Sequence, residues 1–180
     1  EYTIEQLNRK DGQVRWLVII DIDDFKHIND TYGHIFGDQV IRRVAEIMQE
    51  LVGQRGVIGR FGGDEYVIVL EKVETRDQLK TLLKTIAKEL ALAFDPKTRV
   101  TASIGVSEYP VDGNEYEELM RKADKALYLA KEKGKNRHII YEERLHGKLE
   151  ADDMQNMAMA YAVSKEKKRK VITEMITELC

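Results

Sequence analysis

Arg60-Phe61-Gly62-Gly63-Asp64-Glu65-Tyr66 lies between two apolar runs, Gly56-Val57-Ile58-Gly59 before it and Val67-Ile68-Val69-Leu70 after it. Apolar run, double glycine, two acids and a second apolar run read as a β-hairpin over 56–71 with carboxylates at its tip. Glycine tolerates positive φ, so the Gly62-Gly63 pair permits a tight turn and the close approach of another group. A turn that only reverses the chain has no need of Asp64 and Glu65 beside it. Two adjacent acids can hold a cation, and a cation can hold a phosphate.

Upstream of the hairpin, Trp16-Leu17-Val18-Ile19-Ile20 is an apolar run of strand length, suited to burial on both faces. It ends in Asp21-Ile22-Asp23-Asp24, and a loop carrying Asn29-Asp30 and Tyr32-Gly33-His34 is expected next. Phe36, Val40, Val44, Ile47, Met48 and Leu51 recur at helical spacing, which predicts an amphipathic helix over about 37–52. Downstream, Leu79, Leu82, Leu83, Ile86 and Leu90 mark a second helix with Thr75 as its N-cap. Residues 99–107 read as a strand, and 114–133 as a third helix burying Leu119, Ala123, Ala126, Leu127 and Ala130. Gly134 ends that helix, and 137–141 form a short last strand. Residues 3–10 suit a short helix. This order implies an α/β (α+β) fold, with helices layered on a central mixed sheet.

At 180 residues and 43% hydrophobic, the chain can bury one core, with an appendage besides. Its 29 basic and 32 acidic residues give a net charge of −3, which makes no case for nucleic-acid binding. The one cysteine, Cys180, excludes an internal disulfide and fits a reducing, cytoplasmic setting. No apolar run reaches membrane-spanning length and no signal peptide is visible, so no membrane contact is expected of this stretch. Composition shifts after about residue 141. Residues 142–180 hold Met154, Met157, Met159, Met175 and the run Lys165-Glu166-Lys167-Lys168-Arg169-Lys170. They read as a C-terminal helical extension or linker, the basic run being a solvated helix face. The start at Glu1 reads as a piece of a longer protein, so the parent's membrane attachment stays open.

The acids carry the chemistry. Asp21 stands where a buried strand meets a loop, and ligands of open α/β sheets bind beyond the carboxyl ends of strands. If the hairpin pairs beside that strand, Asp21 and Asp64 meet at one edge of the sheet. Two carboxylates, a backbone carbonyl, water and phosphate oxygens make a Mg²⁺ site. Taken alone, Asp21, Asp23 and Asp24 are better read as turn formers or helix caps; the second acidic pair, Asp64-Glu65, shifts the balance. Histidines 27, 34, 138 and 146 are scattered, which argues against zinc. No Gly-x-x-x-x-Gly-Lys-Ser/Thr pattern is present, which argues against P-loop chemistry.

Four blocks, in order and spacing, resemble the GGDEF family, the diguanylate cyclases, over about residues 14–141. They are Asp21 to Asp30; Tyr32-Gly33-His34 leading to Gly37-Asp38; Arg60 to Tyr66; and Ala123-Asp124-Lys125-Ala126-Leu127-Tyr128 through Lys131 to Gly134-Lys135-Asn136-Arg137. The resemblance implies a nucleotidyl-cyclase-like fold over 1–141 and the condensation of two GTP into cyclic di-GMP with release of two pyrophosphates. Each domain is then a half-site for one GTP with Mg²⁺, or Mn²⁺ in its stead. Turnover needs a homodimer in which each 3′-hydroxyl attacks the other α-phosphate in line.

Carried over by position, Asp21, the Ile22 carbonyl and Asp64 are the implied metal ligands. Asp64 and Glu65 are the implied catalytic acids, Glu65 being the second choice for metal or proton transfer. Asn29 and Asp38 match the guanine readers; a carboxylate can accept from the guanine N1–H and 2-amino groups, which adenine lacks. The backbone of Asp24 and Phe25, with Lys26, is implied to cradle phosphates. Lys131 and Lys135 match the terminal-phosphate holders, and His34, Gly62 and Gly63 complete the substrate-binding set. Fusion to a sensory or regulatory domain is implied for the parent.

Two departures stand out. Tyr66 replaces the family's usual Phe, with little effect expected. The Arg-x-x-Asp of the family's inhibitory product site falls on Gly53-Gln54-Arg55-Gly56, so product inhibition through that site is not expected. The alternative function is a silent GTP-binding regulatory module. It ranks lower because Asp21, Asp64 and Glu65 are all kept.

Overall fold

The central strand of the sheet comes first in the chain. In the computed structural model, which describes residues 14–95 and 97–146, β1 (Arg15–Ile22) is buried at every position. The continuous apolar run was expected to be covered on both faces, and it is. Trp16, Val18, Ile20 and Ile22 belong to one apolar cluster, and Leu17 and Ile19 to the other. Alternate side chains of a strand point to opposite faces, so the split is by parity.

β1 is followed by α1 (Phe25–Tyr32), α2 (His34–Val52), β2 (Gly56–Gly62) and β3 (Glu65–Leu70). Then come α3 (Arg76–Leu92), β4 (Ala102–Tyr109), α4 (Tyr116–Glu132), β5 (Arg137–Ile140) and the four-residue α5 (Glu143–His146). The sheet order is β2-β3-β1-β4-β5, antiparallel throughout except for the parallel β4–β5 pair. That pair is parallel because α4 is a crossover returning the chain to the same end of the sheet. The mixed sheet expected from the order of elements is therefore present, and it is largely antiparallel.

Helices α1, α2 and α3 cover one face. Val40, Val44, Ile47 and Met48 of α2 and Leu79, Leu83, Ile86 and Leu90 of α3 pack there on Val18, Ile20, Ile68 and Ile104. Helix α4 covers the other face with Leu119, Met120, Ala123 and Leu127 over Leu17, Ile19, Val67 and Val69. Contact on that side is close: a Cβ on Gly105 of β4 would fall 2.1 Å from the Ala123 carbonyl oxygen. Two buried polar atoms are tied down, Trp16 Nε1 donating to the Val73 carbonyl at 2.7 Å and Tyr66 Oη to the Ile41 carbonyl at 2.8 Å.

Thr75 caps α3 as expected. Its hydroxyl accepts from the Gln78 N–H at 3.2 Å, and Gln78 Oε1 accepts from the Thr75 N–H at 3.3 Å, a reciprocal capping box. Gly134, at φ +100°, follows the last turn of α4.

The structure corrects three boundaries. The stretch expected as a loop at 29–34 is mostly helix, because α1 runs to Tyr32 and Gly33 alone separates it from α2. Only Ile28 of α1 is buried, so the helix shows no apolar repeat in the sequence. Helix α2 accordingly begins at His34, not 37. β4 runs 102–109 where 99–107 was expected, since Arg99 sits at φ +35° and cannot join a strand. The helix expected at 3–10 and the extension beyond His146 lie outside the described residues. At the near end of that extension, Glu142 is bridged to Arg76 at 3.1 Å and Glu143 lies 3.6 Å from Lys122. No helix among the described residues is long and apolar enough to cross a membrane.

Candidate functional site

The end of β1 and the tip of the hairpin meet. β3 pairs antiparallel with β1 so that Glu65 stands directly across from Asp21, and the Ile22 N–H donates to the Asp64 carbonyl at 3.2 Å. Asp21 follows the parity of Leu17 and Ile19, and Glu65 that of Val67 and Val69, so both acids are on the α4 face. Directly opposed strand residues have Cβ atoms about 4.5–5.5 Å apart. The tip is shaped by a bulge: the register shifts between Arg60 and Gly62, leaving Phe61 as the extra residue. Gly62 at φ +152° and Gly63 at φ +51° then turn the chain.

Arg60 fastens this turn. Its Nε and Nη2 both donate to the Gly63 carbonyl, at 3.1 and 2.7 Å. A planar fork on one carbonyl fixes the peptide just before Asp64.

From the other side, α4 delivers a cation. Lys131 Nζ lies 2.8 Å from Asp21 Oδ2. Asp21 is only 8% exposed. Burial lifts its carboxyl to about 6, against the pull of Lys131, and the nearby Asp64 and Glu65 charges add to the rise. A carboxylate so placed, with further acids close by, favours a positive charge at its open side. The Lys131 ammonium stands in that position here. Among the described residues no three acid, His or Cys side chains chelate a metal by themselves. The donor set suits Mg²⁺, which takes one or two carboxylates and completes its shell with water and substrate phosphates.

Asp24 stands at the N-cap position of α1 with φ +55° and no side-chain bond to the helix; its carboxylate instead receives Lys135 Nζ at 2.6 Å. The first N–H groups of a helix have no partner within it; in α1 these belong to the turn holding Phe25 and Lys26. Lys131 and Lys135 therefore reach the two ends of the Asp21–Asp24 segment.

Asn29 and Gly37 are pressed together: a Cβ on Gly37 would fall 1.8 Å from Asn29 Oδ1 and 3.3 Å from Phe25 Cζ. Asp38, the next residue, is exposed and lines a groove of about 490 Å³ between α2 and the hairpin, with Arg42, Gln49, Arg60 and Tyr66. His34 is exposed at the start of α2. The structure thus gathers Asp21, Asp64, Glu65 and Lys131 in one cluster, joins Asp24 to Lys135, and sets Asn29 against Gly37, the residue before Asp38.

Two residues escaped the sequence reading. Arg60 has no distinguishing neighbour in the sequence beyond its place at the start of the turn. Asp23 reads in the sequence as a loop acid, yet it is buried, accepting from Thr101 Oγ1 at 2.7 Å, Ser103 Oγ at 2.6 Å and the Asn136 N–H at 2.9 Å. Its partners lie 78 to 113 positions away, so no local pattern could reveal them.

A mixed sheet with an acidic hairpin tip set against the end of its central strand is the architecture of the GGDEF class. The chain matches the family model described as "Diguanylate cyclase, GGDEF domain" over residues 1–137, and it belongs to that family. It is 35% identical over 147 residues to diguanylate cyclase A of Treponema denticola, covering 80% of this chain and 39% of that protein. It is 36% identical over 149 residues to the bifunctional diguanylate cyclase/cyclic di-GMP phosphodiesterase MucR of Pseudomonas aeruginosa, covering 81% of this chain and 22% of MucR. The chain thus spans well under half the length of these relatives. Among solved structures, the active GGEEF domain of a diguanylate cyclase from Vibrio cholerae superposes with a TM-score of 0.69 at 32% identity, covering 78% of this chain and 90% of that one.

Proposed function

We propose that this domain is one half of a diguanylate cyclase, binding one GTP with a divalent cation and condensing it with the GTP of a second copy into cyclic di-GMP. The observation that carries this is the facing of Asp21 and Glu65 across β1 and β3 on the face that Lys131 reaches. Asp21, the Ile22 carbonyl and a hairpin acid would hold Mg²⁺, with Mn²⁺ a substitute. The register favours Glu65 as that acid, because it shares Asp21's face, and leaves Asp64 at the tip as proton acceptor for an attacking 3′-hydroxyl. The metal, when bound, neutralises charge on the phosphates and polarises the phosphorus–oxygen bond.

The chain's own residues do the rest. Asn29 and Asp38 read the guanine edge. The α1 N-terminus at Asp24, Phe25 and Lys26 meets the phosphates with N–H groups and a helix dipole. Lys131 and Lys135 exchange their carboxylate partners, Asp21 and Asp24, for the terminal phosphates. His34, Gly62 and Gly63 border the substrate, the two glycines letting it approach the tip. Each domain carries one set of these groups, so the reaction needs two copies face to face. Residues 1–141 form this unit, and 142–180 link it to a sensory or regulatory domain of a longer, cytoplasmic-facing protein.

Incubation of the full chain with GTP and Mg²⁺ tests the reading. Cyclic di-GMP and pyrophosphate should form in a ratio of one to two. Asp64→Ala should lower turnover by at least about 100-fold, the loss of a positioned general base. Absence of product from a protein that is dimeric in solution would refute the cyclase assignment.

A further inference from the structure

We infer that Asp23 is the positioning residue for Lys135, holding the α4–β5 turn against the end of β1 so that this lysine meets the phosphates of a bound nucleotide. The inference rests on the reading of Lys135 given above. Asp23 is 7% exposed, and both its oxygens are engaged. Ser103 Oγ donates to Oδ1; Thr101 Oγ1 and the Asn136 N–H donate to Oδ2. Its own N–H donates to the Thr101 carbonyl at 2.8 Å. One carboxylate therefore ties the end of β1 to the start of β4 and to the turn after α4.

That turn is strained. Lys135 at φ +59° and Asn136 at φ +47° are consecutive residues in the left-handed region, and neither is glycine. Asp24, next to Asp23, is at φ +55°. Of the four non-glycine residues with positive φ among the described residues, Asp24 adjoins Asp23, Asn136 bonds it, and Lys135 directly precedes Asn136. Such conformations persist only where the surroundings over-determine them, and they collect where function needs a fixed geometry. A buried carboxylate accepting three bonds is a strong determinant, because charge-assisted hydrogen bonds exceed neutral ones.

The strain has a visible result. With the Asn136 N–H on Asp23, the Lys135 N–H reaches the Ala130 carbonyl at 3.1 Å, and the Lys135 ammonium arrives over Asp24 at the mouth of α1. Released from Asp23, the pair would relax out of the left-handed region and carry Lys135 away from that mouth. Lys131, fixed within α4 itself, would not move with it.

The test is equilibrium binding of 3′-deoxy-GTP, which lacks the attacking hydroxyl, and of GMP, which lacks the terminal phosphates. Both are measured on the full chain with Mg²⁺. Asp23→Asn should weaken 3′-deoxy-GTP by about tenfold, the scale of one lost hydrogen bond to a charged group, and leave GMP within about twofold. Lys135→Ala should do the same, and the double variant should be no worse than either single one. Equal losses for both ligands would make Asp23 a fold determinant only and overturn the inference. So would an unchanged GTP-to-GMP ratio in Asp23→Asn beside a shifted one in Lys135→Ala. An unchanged ratio in Lys135→Ala would instead overturn the phosphate reading of Lys135. Should Asp23→Asn not fold, Thr101→Val removes a single donor to the same oxygen. It must shift the ratio in the same direction, by less, for the inference to stand.

Discussion

Three aspartates within four positions illustrate how far side-chain identity determines role. Asp21 is buried and faces the hairpin acids, Asp23 is buried as a hub of three donors, and Asp24 is exposed under Lys135. The sequence places all three at a strand end but does not separate them, because their partners come from β3, from β4 and the residue before it, and from α4 and the turn after it. The pairing of Asp21 with the Asp64-Glu65 turn was legible, since both motifs were visible and only their adjacency had to be inferred. Two predictions belong at this scale. Gly37→Ala should keep the fold, as alanine suits a helix, but its Cβ would displace the Asn29 carboxamide. Competition between GTP and ATP should then show discrimination falling by about two- to tenfold, the scale of one lost hydrogen bond between neutral groups. The second concerns Asp21, whose folded carboxyl titrates at about 6 instead of 3.8. A raised carboxyl favours the folded state below about pH 4 and loses that contribution as pH rises through 6, so at pH 7.5 the buried charge is a burden of roughly 1–3 kcal/mol. Asp21→Asn should therefore raise the metal-free melting temperature at pH 7.5 while abolishing turnover. Mg²⁺ should raise the melting temperature of the parent and not that of the variant.

Elements were legible in proportion to how much apolar surface they bury. Helices α2, α3 and α4 announce themselves through repeats that the two apolar clusters absorb, and Thr75 marks its helix by a local rule. Helix α1 was missed because its single buried residue, Ile28, makes no repeat. Its Asn29-Asp30 pair also looks like a turn. The edge strand β5 has its own consequence. His138 is half-buried there, facing Lys80 and Lys84 of α3 in a groove that Lys88 and Arg137 also line. Burial, and then the two lysines, push its imidazole below the ordinary 6.5. Unfolding lets it take up a proton, so its contribution is present above about pH 6.5 and is lost as pH falls through the folded value. His138→Gln should flatten this dependence. Urea midpoints at pH 7.5 and 5.5 should lie closer together for the variant than for the parent; an unchanged gap would count against the assignment.

At the scale of the molecule, the groups of the site come from five segments, at 21–24, 29–38, 60–65, 101–103 and 131–136, brought together by the sheet, the helices packed on it and the side-chain bonds of Asp21, Asp23 and Asp24. The order β2-β3-β1-β4-β5 was not written locally, but the mixed sheet followed from the alternation of strands and helices. If two copies must face each other, specific activity should rise with protein concentration and level off once the dimer is formed. Turnover per chain measured across a dilution series checks this, and a flat series would argue for a single-chain reaction. β1 has a last consequence, in the order of synthesis. This most buried strand leaves the ribosome before the other strands of its sheet, yet its neighbours β3 and β4 follow only after β2 and after α3. At about 5–20 residues per second, Trp16-Leu17-Val18-Ile19-Ile20 spends several seconds with at least one edge open before Tyr109 emerges. A nascent chain in that interval is a natural client for a chaperone that holds extended apolar segments, and its yield should depend on translation speed more than that of a fold whose central strand comes last.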